Sequence, residues 1–381
     1  MTAAQRRALE AICDTFAPGA VELGVPDQVL ELARLNPSVQ ERDLRALLSL
    51  FALRRFARLP RARREAILIA WCDSRLAARR AAFQSLRKGA LLAFYSHRAT
   101  QERIGYPGAL GPPAPGGTPI ATTPAADMDC DVCVIGSGAG GGVAAAVLAQ
   151  AGLDVVVLEA GPAVSEADFV GDELDAYRRF YWGASGATTD DGGIGLLTGE
   201  CLGGTTTLNW TTSFRTPDAL RDEWGGPFAT DAFMRSLDAV SSRVDVNTEH
   251  NLPSTRDAIM RRGLEALGWH VDAMPRNVRG CDQNGVCGYC GFGCQLGAKQ
   301  STLVTWLRDA LAAGARIVVE TKAERVRSER GRAGGVEAVT RSELARRAKP
   351  RWPRPQTRFP SKCVWLPDLT GPPACRPTRC R

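Results

Sequence analysis

The chain has 381 residues, of which 44% are apolar and 23% are charged. These values are typical of one large or two ordinary globular domains, and they exclude a disordered or fibrous bulk. No apolar run approaches the roughly 20 residues that a membrane-spanning helix needs. No apolar segment follows the N-terminal arginines, so a secretory signal is not expected. We therefore expect a cytoplasmic protein.

The net charge of +7 is unevenly distributed along the chain. Residues 341–381 hold nine arginines and two lysines against two acidic residues, a net charge of +9, so the other 340 residues carry −2. Because the excess belongs to one tail, it gives no reason to expect nucleic acid as a partner of the folded body.

Residues 1–104 are predicted to form a helical N-terminal extension. Apolar residues repeat with the spacing of one helix face in two places: Leu44, Leu47, Leu48 and Phe51, and then Phe83, Leu86, Ala90 and Phe94. The second helix is crowded with cations: Arg75, Arg79, Arg80, Arg87 and Lys88. Such a helix either lies on a membrane surface or presents a solvated face whose aliphatic stems cover the core.

Two segments are predicted to lack regular secondary structure. Residues 105–128 are predicted to be a linker, because residues 105–124 include eleven glycines or prolines, which stop helices and sheet ladders. Residues 341–381 contain eight prolines and no sustained period of 2 or 3.6. We expect this tail to lie outside any packed domain, as an aberrant end of the chain; a genuine basic tail is the alternative.

The region between them, residues 129–340, has the pattern of an α/β domain. Asp131–Ile135 and Asp154–Leu158 are predicted as buried strands on either side of a helix over Val143–Ala149, a βαβ unit whose strands are parallel. Further on, Ser301 is predicted to cap a helix that carries Leu303, Leu307 and Leu311. A strand over Arg316–Glu320 is expected to follow it.

A glycine-rich turn joins the first strand to its helix. Gly136, Gly138 and Gly141 have the GxGxxG spacing, and Glu159 stands at the end of the next strand. In this context the pattern predicts a dinucleotide site: a tight turn, close approach to a pyrophosphate, and close helix–strand packing. Glu159 is expected to accept hydrogen bonds from ribose hydroxyls, which disfavours NADP. The motif alone does not separate FAD from NAD.

A second glycine loop, Gly199–Trp210, combines a backbone turn with clustered hydroxyls and an amide. By composition it is either a solvated turn or a loop that lies against a flavin and its phosphates.

These motifs together resemble the N-terminal half of the glucose–methanol–choline (GMC) oxidoreductase family, and in particular its long-chain alcohol oxidase branch. The matching residues are Gly136–Gly141, Leu158–Gly161, Leu202–Asn209, Arg276–Asn277 and Gly297–Thr302; Leu9–Pro18 resembles that branch's helical extension. The family is FAD-dependent and oxidises alcohols by hydride transfer to flavin N5.

The resemblance implies roles for individual residues. Gly136, Gly138 and Gly141 would wrap the FAD pyrophosphate, with Glu159 on the adenosine ribose. The second loop would line the pyrophosphate and flavin through Gly203, Gly204, Thr205 and Thr206. Asn209 would lie near the reactive edge of the isoalloxazine, and Val326 would pair with adenine through its backbone.

The family's catalytic histidine lies in a C-terminal half that this pattern does not reach. The three histidines, His97, His250 and His270, are not at positions that match the family's base. We therefore predict no catalytic base in this chain. A catalytically incomplete FAD-binding fragment is the alternative to an active alcohol oxidase.

Four cysteines form a separate cluster: Cys281, Cys287, Cys290 and Cys294. Thiolates this close in sequence can bind zinc or an iron–sulfur cluster, which would make the region an electron-transfer module. A reduced structural loop and a local disulfide are the alternatives, and the disulfide is disfavoured inside a cell.

The sequence thus predicts an α/β chain with an incomplete Rossmann-like FAD-binding domain after an α-helical extension. Its expected cofactor is FAD. Its expected partners are a small-molecule alcohol, with a long or otherwise apolar chain, and an electron acceptor.

Overall fold

The computed structural model describes residues 1–37, 39, 41–106, 108, 117, 119–189, 194–250, 253–281, 287–347 and 357–360. The helices are α1 (Ala3–Phe16), α2 (Val25–Leu35), α3 (Glu41–Leu53), α4 (Arg61–Cys72), α5 (Ala77–Tyr95), α6 (Arg98–Arg103), α7 (Ala139–Gln150), α8 (Glu173–Phe180), α9 (Thr205–Leu208), α10 (Asp218–Trp224), α11 (Asp231–Arg243), α12 (Thr255–Ala266), α13 (Trp306–Ala312) and α14 (Arg341–Arg347). The strands are β1 (Val132–Ile135), β2 (Val155–Leu158), β3 (Val246–Asn247), β4 (Arg276–Asn277), β5 (Arg316–Val318), β6 (Thr321–Glu329), β7 (Arg332–Thr340) and β8 (Thr357–Pro360).

The chain divides into two compact units. The helical unit comprises residues 1–115 and 167–200, and the dinucleotide unit comprises residues 116–166 and 201–381. The sequence-based boundaries after residues 104, 128 and 340 were drawn from composition and stay predictions. Ten of the 24 residues of the expected linker and 30 of the 41 residues of the expected tail lie outside the described residues. The described parts of the tail are α14 and β8, and β8 pairs with β7, so this part of the tail is joined to a sheet rather than separate from the domain.

The helical unit is organised around an apolar core contributed by α1 to α5. Leu9 and Ile12 of α1 are fully buried, and Phe51 of α3 packs against Trp71 of α4 at a ring-centroid distance of 4.7 Å. The predicted inward face of α5 is confirmed, because Phe83, Leu86, Ala90 and Phe94 are all buried. Thr2 and Gln5 cap the start of α1 reciprocally, which satisfies amides that the first turn leaves unpaired.

Residues 167–200 join this helical unit through polar contacts. The Arg178 guanidinium of α8 contacts the Glu31 carboxylate of α2 at 2.8 Å, and the Asn36 side chain donates to the carbonyl of Gly186 at 2.7 Å.

The dinucleotide unit is built on a parallel sheet with the strand order β1-β2-β5. All four residues of β2 are buried, as expected for a central strand covered on both faces. The predicted βαβ unit is confirmed: β1 pairs in parallel with β2, and α7 connects them. The late part of the expected linker lies beside this sheet, since the Thr123 amide donates to the carbonyl of Ile317 in β5 at 2.7 Å.

The predicted start of the helix after Ser301 is wrong. Residues 301–305 form a turn in which the Thr305 hydroxyl donates to the Ser301 carbonyl at 2.7 Å, and α13 begins at Trp306 with Thr305 as its cap residue. Thr305 has φ −119° and ψ −95°, outside the helical region, so the turn does not continue into α13. Leu303 is nevertheless buried, because the turn itself packs into the unit.

A second sheet in the dinucleotide unit is antiparallel, with the order β6-β7-β8. Val326 lies in β6 opposite Val336 of β7 and is 37% exposed. Within the described residues, no helix combines the length and the apolarity needed to cross a membrane.

The packing of α7 against β1 gives a direct test of the third motif glycine. A Cβ added to Gly141 would lie 1.8 Å from the Gly136 carbonyl oxygen, whereas one added to Gly140 would meet no heavy atom within 4 Å. We expect Gly141→Ala to lower the free energy of unfolding by about 1–3 kcal/mol through overpacking. Gly140→Ala is the matched control and should be neutral or stabilising, since alanine is the better helix former.

Urea denaturation of the two variants measures this difference. Equal stabilities for Gly141→Ala and Gly140→Ala would contradict the packing role of Gly141.

Candidate functional site

The first glycine loop connects β1 to α7 in the conformation that a phosphate site requires. Gly136 has φ +89°, a left-handed conformation that favours glycine, and Gly138 is the cap residue before α7. The first turn of α7 contains no acidic residue, and Ala139 and Gly140 are exposed. The amides of a first helical turn have no intrahelical partner and carry partial positive charge, so this end of α7 suits a bound anion.

Ser137 connects this loop to two distant segments. Its side chain is fully buried, and its hydroxyl donates to Glu159 Oε2 at 2.5 Å. The same hydroxyl oxygen accepts from the amide of Gly203 at 2.9 Å. One side chain thereby fixes the first glycine loop, the end of β2 and the second glycine loop relative to each other.

Glu159 is buried at the end of β2 and is held by backbone amides. Its Oε2 also accepts from the Ser137 amide at 3.0 Å, and its Oε1 accepts from the Gly161 amide at 2.9 Å. Each carboxylate oxygen has about two acceptor sites, so Oε1 retains capacity for one further donor. The geometry leaves room for the ribose contact predicted for Glu159. That contact stays a prediction.

The second glycine loop lies directly against the first. Gly203 and Gly204 both have positive φ, at +86° and +55°, and they precede the short helix α9. A Cβ on Gly204 would lie 2.8 Å from Gly138 Cα, so only glycine permits this approach of the two backbones. The two glycine motifs, 62 or more residues apart in sequence, therefore form one surface.

A third segment completes this surface through Thr302. The Thr302 hydroxyl lies 3.1 Å from the Gly203 carbonyl and 3.2 Å from the Ser137 carbonyl, and its oxygen is 2.9 Å from the Thr206 hydroxyl oxygen. Thr302 thereby links the three segments that we call the glycine cradle, defined as residues 136–141, 203–206 and 302.

Asn209 follows the cradle and is supported by a buried lysine. The Lys299 ammonium donates to three carbonyls, those of Thr207, Asn209 and Cys290, at 2.9, 2.6 and 2.7 Å. The Asn209 Oδ1 accepts from the Thr211 amide at 3.1 Å. Lys299 thus joins the end of α9 to the cysteine-rich segment.

Burial of the Lys299 ammonium lowers its pKa to about 8, because the charged form loses its hydration. The neighbouring thiols of Cys290 and Cys294 act in the opposite direction. Lys299 as a whole residue is only 3% exposed. Three carbonyl acceptors compensate for part of the lost hydration.

A second buried cation, Arg276 of β4, lies among the cysteines. Its Nε donates to the Thr211 hydroxyl at 2.8 Å, and its Nη2 lies 3.7 Å from Cys281 Sγ and 3.8 Å from Cys290 Sγ. Burial raises the pKa of the Cys281 thiol, and the guanidinium opposes this rise.

The structure brings Cys281 and Cys290 to one guanidinium, but it does not assemble the four candidate cysteines into a ligand set. Within the part of the chain that the structure describes, no three His, Cys, Asp or Glu side chains are placed to hold a metal. The four cysteines are free thiols. The predicted metal or iron–sulfur site therefore gains no support from this geometry.

The three histidines have separate environments. His97 stands at the cap position of α6 in the helical unit without a side-chain cap bond. His250 Nε2 accepts from the Gly280 amide at 3.0 Å, and His270 forms an exposed pair with Asp272. None is hydrogen-bonded to a residue of the glycine cradle in the described part of the chain.

Four residues of this site had no role in the sequence-based prediction. Two of them, Lys299 and Thr302, lie in the Gly297–Thr302 segment that matched the family pattern, and Arg276 lies in another matching pair. The sequence pattern assigned no role to Ser137, which stands between two motif glycines. The signal available in the sequence was the presence of polar and charged side chains inside the matched segments.

The geometry fits a dinucleotide such as FAD. The first turn of α7 is exposed and free of acidic groups, and glycines keep the adjoining backbone bare of side chains. The fold and the site thus define a dinucleotide-binding α/β protein.

Comparison with known families identifies the family to which this dinucleotide-binding protein belongs. The family model described as GMC oxidoreductase matches residues 139–351, which is more than half of the chain. This chain belongs to the GMC oxidoreductase family, whose members bind FAD, so the resemblance predicted from the sequence is confirmed.

Curated relatives include plant and bacterial proteins. Long-chain-alcohol oxidase FAO4B of Arabidopsis thaliana is 41% identical over 201 residues, covering 51% of this chain and 26% of the relative. Long-chain-alcohol oxidase FAO3 of the same plant is 38% identical over 206 residues, covering 52% and 27%. An uncharacterised GMC-type oxidoreductase of Mycobacterium tuberculosis is 37% identical over 217 residues, covering 55% and 34%. The matched part of the chain spans about a quarter to a third of these relatives.

Solved structures show more distant similarity. A formate oxidase variant from Aspergillus oryzae RIB40 has a TM-score of 0.43 at 15% identity, covering 63% of this chain and 45% of that chain. Pyridoxine 4-oxidase from Mesorbium loti has a TM-score of 0.43 at 13% identity, covering 61% and 48%.

The lowered pKa of Lys299 predicts a specific pH dependence of stability. The folded-state pKa of about 8 lies below the ordinary lysine value of 10.5, so the unfolded chain binds more protons between these pH values. The burial penalty is fully present below pH 8 and is relieved as the pH rises toward 10.5. The free energy of unfolding of the wild type, relative to Lys299→Met, should therefore rise by roughly 1–3 kcal/mol over this range.

Urea denaturation at several pH values measures this rise. Lys322→Met, at an exposed position of β6, is the control for the removal of one lysine side chain. A constant difference between wild type and Lys299→Met from pH 7 to 10 would show that Lys299 titrates as an ordinary lysine.

Proposed function

We propose that this chain binds FAD at the glycine cradle and takes part in the oxidation of the CH–OH group of an apolar alcohol. The observation that carries the proposal is the hydrogen-bonded union of the three cradle segments at the exposed start of α7. The long-chain-alcohol oxidases among the relatives support the substrate class.

The chain's own residues would act on the cofactor as follows. The first-turn amides of α7 bind the pyrophosphate, and the bare backbone at Gly138 allows its close approach. The remaining acceptor site of Glu159 receives a ribose hydroxyl. Thr205 and Asn209 lie at the start and the end of α9, where they would face the flavin portion. Val326 of β6 would present its backbone to adenine.

Bound FAD would supply the hydride acceptor for the alcohol carbon. Lys299 holds one carbonyl within α9 and one directly after it, so it fixes the position of Asn209. The chain's contribution is therefore to bind and orient the cofactor. We assign the proton-accepting step to none of its three histidines.

FAD binding can be tested with a single glycine substitution. A Cβ on Gly138 would have Gly204 Cα at 3.9 Å as its nearest heavy atom, an ordinary contact, and Gly138 has a negative φ. Gly138→Ala should therefore fold with a stability within about 0.5 kcal/mol of the wild type. Its methyl group would occupy the space that the pyrophosphate needs, so FAD affinity should fall by at least about tenfold.

Titration of the protein with FAD, followed by flavin fluorescence, measures this loss. Gly140→Ala, two residues further along the chain in α7, is the matched control. It should bind FAD more tightly than Gly138→Ala does. Wild type that binds no FAD, or equal affinities for wild type and Gly138→Ala, would contradict the proposed site.

Alcohol oxidation is tested separately on the FAD-loaded protein. A long-chain primary alcohol should bleach the flavin absorbance under anaerobic conditions if the chain is a complete oxidase. FAD binding without any bleaching would favour the alternative, a catalytically incomplete FAD-binding chain.

A further inference from the structure

A second basic segment lies within the helical unit. Residues 54–88 contain ten arginines and one lysine against two acidic residues, Glu65 and Asp73, a net charge of +9. The rest of residues 1–340 is correspondingly acidic, so the sequence-based view that the basic excess belongs only to the tail overlooked this segment.

Three of these eleven cations lie with the acidic Asp73 where α4 ends and α5 begins, a place that we call the α4–α5 corner and define as residues 69–80. Arg75, Arg79 and Arg80 are exposed there. The Arg79 guanidinium lies 5.9 Å from the ring centroid of Trp71, and Arg80 donates to the Ser74 carbonyl at 2.6 Å. Among the described residues, none of these three arginines forms an ion pair with a carboxylate.

Large apolar side chains are exposed at the same corner. Ile69 of α4 is 58% exposed, and Leu76, between the two helices, is 57% exposed. The neighbouring Trp71 is buried, so the core of the unit is already covered without them. Their exposure therefore contributes little to folding.

Two local features of the corner are unfavourable for an isolated helix. Leu76 occupies the cap position of α5 and makes no side-chain cap bond, whereas serine, threonine, aspartate and asparagine are preferred there. Arg79 and Arg80 stand in the first turns of α5, where the helix dipole disfavours positive charge. Sites that break local rules without a gain in folding are often functional.

We propose that the α4–α5 corner docks on a membrane surface that contains anionic lipids. The arginines would lie at the level of the lipid phosphates, and Leu76 and Ile69 would enter the boundary between headgroups and acyl chains. Duplex nucleic acid accounts for the cations alone, because its phosphate backbone offers the two aliphatic side chains no apolar phase. This inference does not rest on the proposed oxidation chemistry.

Co-sedimentation of the full chain with phosphatidylcholine vesicles, with and without phosphatidylserine, tests the proposal. Binding should require phosphatidylserine. Because each arginine near an anionic surface contributes about a fivefold factor, the variant R75Q/R79Q/R80Q should bind at least about tenfold more weakly. The variant I69S/L76S keeps every charge and should also bind several-fold more weakly, since it loses the inserted apolar surface.

The matched control is R235Q/R256Q/R262Q, which removes three exposed arginines from the dinucleotide unit and leaves the total charge equal to that of the corner variant. It should bind nearly as well as the wild type. Thermal unfolding should show all variants folded, since the substituted side chains are exposed.

Three results would overturn the proposal. They are no sedimentation with phosphatidylserine vesicles, equal loss in the corner variant and the control, and unchanged binding of I69S/L76S. Displacement of the vesicles by duplex DNA, with I69S/L76S unaffected, would assign the corner to nucleic acid instead.

Discussion

The candidate site depends on one buried hydroxyl group. Ser137 donates to Glu159 and accepts from the amide of Gly203, so a single oxygen fixes the end of β2 and both glycine loops. A buried polar group that loses its partner costs about 1–3 kcal/mol, which makes such a connection specific as well as stabilising. The cradle is therefore held together by hydrogen bonds between its own segments.

The glycines around this hydroxyl serve different physical purposes. Gly141 is required for packing, because a side chain there would collide with the carbonyl of Gly136. Gly204 is required for the contact between the two loops, and Gly138 leaves room above the start of α7. The first glycine motif therefore meets two requirements: Gly141 permits the packing of the fold, and Gly138 leaves access to the start of α7. Both requirements restrict the spacing of its glycines.

Local sequence pattern predicted the βαβ unit well, because buried valine runs and a glycine turn determine it over about 30 residues. The pattern also placed Phe83 and Phe94 on a buried helix face. It failed at Ser301, because Thr305 has a non-helical backbone (φ −119°, ψ −95°) and α13 begins only after it. The contacts of Ser137 with Gly203 and Thr302 span 66 and 165 residues, and no local periodicity reports partners at such separations.

The two buried cations are a second feature that the local sequence pattern could not predict. Lys299 and Arg276 lie in segments that match the family pattern, yet their burial follows from how three distant segments meet. A charged residue in a sequence is normally read as exposed. Only the tertiary arrangement shows that Lys299 is surrounded by carbonyl groups and that Arg276 faces sulfur atoms.

The central claim is that Ser137 holds the second glycine loop in place in the free protein. Amide hydrogen exchange of Gly203 tests it most directly, with the Val156 amide of β2 as an internal reference. We expect the Gly203 amide to be protected in the cofactor-free wild type and to exchange at least about tenfold faster in Ser137→Ala, with Val156 unchanged. A Gly203 amide that exchanges at the rate of an open loop in the wild type, or at the same rate in both proteins, would contradict the account.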